Sequence, residues 1–80
     1  MTKGTITKVV RTHGSLWGLI QPLESSRRAF FNTASFDQAD GFDAAEEGLA
    51  VEFDEEKDPV NGSRAVHLAI TLDPSRAAGR

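Results

Sequence analysis

Turn-forming residues recur about every ten positions along this chain, and the stretches between them are short and β-branched or alternating rather than helically striped. A helix needs apolar residues spaced by three and four over ten or more positions, and no window supplies them. Thr5 to Arg11 predicts a first strand, being rich in Thr, Ile and Val. The polar, glycine-containing stretch Thr12 to Ser15 predicts a loop, and Leu16 to Gln21 a second strand that Pro22 closes. Leu23 to Arg27 is a loop with paired serines, and Arg28 to Thr33 predicts a third strand centred on Phe30 and Phe31. Thr33 to Phe36 permits a helical turn, and Asp37 to Glu47 predicts an irregular acidic loop. Leu49 to Glu55 alternates, with Val51 and Phe53 inward, and predicts a fourth strand. Asp58 to Gly62 is a turn cluster carrying Asn61-Gly62, and Arg64 to Ile70 predicts a fifth strand with Val66, Leu68 and Ile70 on one side. Five such strands favour a closed barrel, because closure removes the exposed edges of an open sheet.

With 80 residues the chain suits one domain, expected over 1–71, with a disordered tail over 72–80. A chain of this length buries only roughly 60% of its unfolded surface, which argues against a large substrate cavity. It has no cysteine, so neither a disulfide nor a thiolate metal site supports the fold. Its apolar runs are far shorter than the ~20 residues that span a bilayer, and the N-terminal stretch lacks a signal-like apolar segment. The expectation is a soluble, cytoplasmic monomer with no membrane partner and no small-molecule cofactor.

The overall charge of −3 argues against a polyanionic partner, but its distribution does not. Residues 1–33 carry five bases against Glu24, residues 34–60 carry ten acids against Lys57, and the remainder carries three arginines against Asp73. Such segregation can build one positive face on an acidic protein, or merely a solvated surface. His13 and His67 have no carboxylate or cysteine at ligand spacing, and Asp54-Glu55-Glu56 lacks the spaced pattern of a calcium loop, so no metal site is expected. No nucleophile and base share a suggestive context, so the sequence predicts a binding protein rather than an enzyme.

The aromatic residues carry the binding argument. Adjacent residues of a strand point to opposite faces, so Phe30 and Phe31 cannot both be core. With Ile20 and Phe31 inward, Trp17 and Leu19 on one strand and Phe30 and Asn32 on the next share the outer face, where an apolar patch marks a binding site. Core packing of Trp17, or exchange of the roles of Phe30 and Phe31 by a one-residue slip, is the competing assignment. Phe42 either stacks on a ligand or tucks back to pin its own loop. Lys8, Arg27 and Arg28 are candidate phosphate contacts, or ordinary solvated cations.

Ser15-Leu16-Trp17-Gly18-Leu19-Ile20, Ala29-Phe30-Phe31-Asn32 and Glu46 to Phe53 resemble the two RNP motifs and the fourth strand of the bacterial cold-shock domain. Gly4 and Gly41-Phe42 also fall where that family places them, so the resemblance covers about Gly4 to Leu68. It implies an all-β fold, a five-stranded antiparallel OB-fold barrel, that binds single-stranded RNA or DNA by base stacking, as an RNA chaperone or expression regulator. The stacking residues it implies are Trp17, Phe30 and Phe42, with Lys8 and Arg64 beside them. The chain departs from the family at Ser15, Leu19, Asn32 and Thr33, where the pattern has lysine, an aromatic, histidine and phenylalanine, and Lys8-Val9 stands near its usual Trp-Phe pair. Fewer rings imply weaker binding or a different ligand. A reading of another class is a protein-interaction module that uses the Trp17 patch and the acidic loop.

Overall fold

The five predicted strands all form, most of them longer than local pattern suggests. The computed structural model describes residues 1–38, 40–60 and 62–71. Strands β1 (Thr2–Thr12), β2 (Ser15–Pro22), β3 (Ala29–Asn32), β4 (Ala50–Asp58) and β5 (Gly62–Ile70) are joined by short connections, except that two 3-10 turns, Thr33–Ser35 and Gly41–Ala44, lie between β3 and β4. β1 reaches back to Thr2 because its start is hydrogen-bonded into a partner far along the chain, with Thr2 opposite Phe53 and Gly4 opposite Val51. His13 and Gly14 form a tight hairpin turn between Thr12 and Ser15, with Gly14 at φ 83°, a conformation that favours glycine. The expected tail over 72–80, and Asn61 of the predicted turn, lie outside the described residues. Among the described residues no helix is long and apolar enough to cross a membrane.

The strands close in the order β1-β2-β3-β5-β4. The expectation of a purely antiparallel barrel is corrected at one junction: β3 and β5 run parallel, meeting at Phe30 and Arg64. The other junctions are antiparallel. An odd number of strands in a closed ring cannot alternate direction all the way round, so a parallel seam is unavoidable.

Inside the ring Ile6, Ile20, Phe31, Val51, Phe53 and Leu68 are all buried. Gly18 belongs to this packing, since a Cβ there would fall 2.5 Å from the Phe31 ring and closer still to the Lys8 carbonyl oxygen. Two bulges reset the inward phase. In β1 the register moves from Ile6 opposite Ile20 to Lys8 opposite Leu19, which leaves Thr7 as the extra residue. In β5 it moves from Ala69 opposite Glu52 to Val66 opposite Asp54, and His67 within that step adopts φ 51°. Ser63 and Ala65 therefore point inward before the bulge and Leu68 after it. Val66 does not share a face with Leu68 as strict alternation predicts; the inserted residue reverses the parity.

Phe42 is 2% exposed and packs against Phe31 at 5.6 Å and Phe36 at 6.1 Å between ring centroids. The expected stacking role for Phe42 is thereby corrected: its ring lies in the core and pins its own loop. Arg11 holds that loop from outside, donating from Nη2 to the carbonyls of Phe42 (3.2 Å) and Ala45 (2.6 Å), with its guanidinium 5.4 Å from the Phe42 ring. On the loop's other side His67 Nδ1 lies 3.0 Å from Asp37 Oδ1, a neighbour that sequence spacing does not disclose.

Candidate functional site

The register of the barrel places the candidate side chains in rows, because residues directly opposite across a sheet point the same way. One row crosses all five strands: Lys8 of β1 is opposite Leu19 of β2, Leu19 opposite Phe30 of β3, Phe30 opposite Arg64 of β5, and Arg64 opposite Glu56 of β4. The β1 bulge sets its first member; without the extra Thr7, Lys8 would face inward. A second, shorter row holds Val10, Trp17 and Asn32. These residues are half-buried or exposed, while the intervening Gly18, Phe31 and Ala65 are buried. Trp17 and Phe30 are therefore on the outer face, and neither the core assignment for Trp17 nor the slipped register for Phe30 applies.

Trp17 and Phe30 are diagonal neighbours whose centroids lie 6.0 Å apart with planes inclined by 21°. They form a nearly parallel pair along an open groove of about 680 Å³ that Ser15, Leu16, Asn32 and Thr33 help to line. Leu16 is 41% exposed and continues the apolar surface toward the hairpin turn. Trp17, Leu19 and Phe30 are only half-buried, and an apolar surface of this kind on the outside of a small barrel marks a binding site.

The polar members differ in how free they are. Lys8 Nζ stands 5.4 Å from the Trp17 ring centroid, a cation–π distance that leaves its charge beside the aromatic surface. Asn32 caps the first 3-10 turn: its Oδ1 accepts from the Ala34 N–H at 3.0 Å, while its own N–H donates to Ser35 Oγ at 3.0 Å. That commits its acceptor and leaves the side-chain NH₂ to donate outward. Arg64 Nη2 donates to Glu56 Oε1 at 2.9 Å, and Arg64 Nε is buried with no hydrogen-bond partner among the described residues. The two side chains are 43% and 54% exposed, so the pair contributes only about 0–1 kcal/mol to stability. Arg27 and Arg28 are exposed in the loop before β3.

The structure thus brings together Lys8, Trp17, Leu19, Phe30, Asn32 and Arg64, and removes Phe42 to the core. Sequence reasoning missed Glu56. The signal was present in the turn at Asp58 to Gly62, since counting outward from that pair sets Glu56 against Arg64. Comparison with protein-family models and with curated proteins gives no match for this chain.

Proposed function

We propose that this chain is a single-stranded nucleic-acid-binding module of cold-shock type on an OB-like barrel, acting as an RNA chaperone or expression regulator in the cytoplasm. The observation that carries the reading is the nearly parallel Trp17–Phe30 pair on the outer face of adjacent strands. Every base has a π-face, and stacking on an aromatic ring contributes roughly 1–3 kcal/mol per base with little regard to sequence. Leu19 and Leu16 extend the apolar floor, Asn32 offers an amide donor to an unpaired base edge, and Lys8 offers a charge to the backbone. Binding without chemistry accounts for the residues of this face, none of which pairs a nucleophile with a base.

The test is titration of a short labelled single strand, RNA and DNA in parallel, at low and moderate salt, with Trp17 fluorescence as reporter. Quenching that weakens as salt rises is the expected result, because each neutralised phosphate steepens the salt dependence by about 0.7 in log–log slope. A protein-interaction role for the same face is favoured by one feature, the Arg64 charge already taken by Glu56. No fluorescence response at high protein concentration would falsify the nucleic-acid reading and favour that alternative.

A further inference from the structure

We propose that Glu56 is a resident competitor for Arg64, holding the guanidinium in the position of a backbone phosphate and giving it up when a strand crosses the aromatic row. The proposal rests on the reading of this face as a strand-binding surface and specifies how that surface is regulated. Arg64 stands directly beside Phe30 across the parallel seam, so a base on the Phe30 ring brings its flanking phosphate toward the guanidinium. Glu56 is the next residue in the same row, and its carboxylate presents to Arg64 the paired oxygens that a phosphate would present.

The existing contact does not satisfy the arginine. It is a single hydrogen bond of 2.9 Å from Nη2, and the buried Nε has no acceptor among the described residues. Guanidinium favours a forked, two-bond grip on an oxyanion; a mobile phosphate can offer two oxygens to the Nη groups, whereas Glu56 takes one bond. Displacement is easy for the same reason that the pair is a weak contributor to stability: both partners are about half exposed and well hydrated. Lys8, at the other end of the row, has no carboxylate opposite it, its cross-strand neighbour being Leu19. The two cations that bracket the platform therefore differ: Lys8 rests over the Trp17 ring with no carboxylate to give up, and Arg64 is available only by exchange.

Exchange has a distinctive signature. A phosphate that replaces Glu56 on Arg64 frees a carboxylate as it neutralises itself, so the net release of counterions at that contact is close to zero. In Glu56→Gln the guanidinium is uncompensated, and its phosphate contact adds to the salt slope.

The experiment compares the wild type, Glu56→Gln, Arg64→Gln and the double variant, with Phe30→Ala as the control for stacking. Each binds one labelled single strand from low to moderate salt, after circular dichroism confirms a folded barrel. Glu56→Gln is expected to bind about fivefold more tightly at low salt, the effect of one charge at contact distance in water, with a slope steeper by about 0.7. Arg64→Gln in the double variant is expected to cancel both gains. If wild type binds and Phe30→Ala does not, yet Glu56→Gln matches the wild type in affinity and slope, the competitor role is refuted and the stacking surface stands. A gain that survives in the double variant also refutes it, since Glu56 would then act as general repulsion. If neither wild type nor Glu56→Gln binds any strand, the underlying reading fails and the competitor role falls with it.

Discussion

Replacing two adjacent phenylalanines one at a time gives the sharpest check on which face of the barrel does what. Phe31 is fully buried and packs its ring against Phe42 at 5.6 Å and Phe36 at 6.0 Å, so Phe31→Ala removes a side chain with no solvent to fill its place. Truncations of that kind cost about 3–5 kcal/mol. A domain of this length has a total stability of roughly 4–12 kcal/mol, at about 0.05–0.15 kcal/mol per residue, so Phe31→Ala should remove a large share of it and unfold the chain at the low end of that range. Phe30 is half-buried and, among the described residues, pairs with the Trp17 ring at 6.0 Å. Loss of an aromatic pair at the surface costs about 0.5–1.5 kcal/mol, which lowers the melting temperature by roughly 4–8 °C per kcal/mol in a domain this small. The order reverses for ligand. Phe30→Ala should weaken single-strand binding by between about fivefold and a hundredfold, the equivalent of 1–3 kcal/mol for one stacked base. Thermal melts followed by far-ultraviolet circular dichroism measure the first quantity, and anisotropy of a labelled oligonucleotide measures the second. Comparable losses of stability in the two variants, or wild-type affinity in Phe30→Ala, would refute the assignment of the two rings to opposite faces.

The corrected position of Phe42 predicts that Phe42→Ala destabilises the fold by about 3–5 kcal/mol in urea, while the folded fraction binds a strand with wild-type affinity; a stable variant that binds poorly would return the ring to the surface. Gly18→Ala should cost about 1–3 kcal/mol, because its new methyl group meets the Phe31 ring at 2.5 Å and the unyielding Lys8 carbonyl. A shift in the urea midpoint too small to measure would show that β1 and β2 are less closely apposed there than the register implies.

What the sequence determined by itself is what depends on neighbours a few residues apart. Alternation separates Phe30 from Phe31 and places Val51 and Phe53 inside, and Gly14 marks a tight turn, because side-chain direction in a strand and backbone freedom at glycine are local properties. Tertiary structure decided whatever depends on closing the ring. One extra residue in β1 turns Lys8 outward beside Trp17, and one in β5 carries Val66 off the face of Leu68; a single insertion reverses every position beyond it and leaves no periodic trace in a short segment. The direction of the Phe42 ring was set by Phe31, Phe36 and the Arg11 guanidinium, all remote from its loop or facing it only once the chain has folded. The parallel seam that seats Arg64 between Phe30 and Glu56 has the same origin, since five strands in a closed ring must break their alternation somewhere and only packing chooses where.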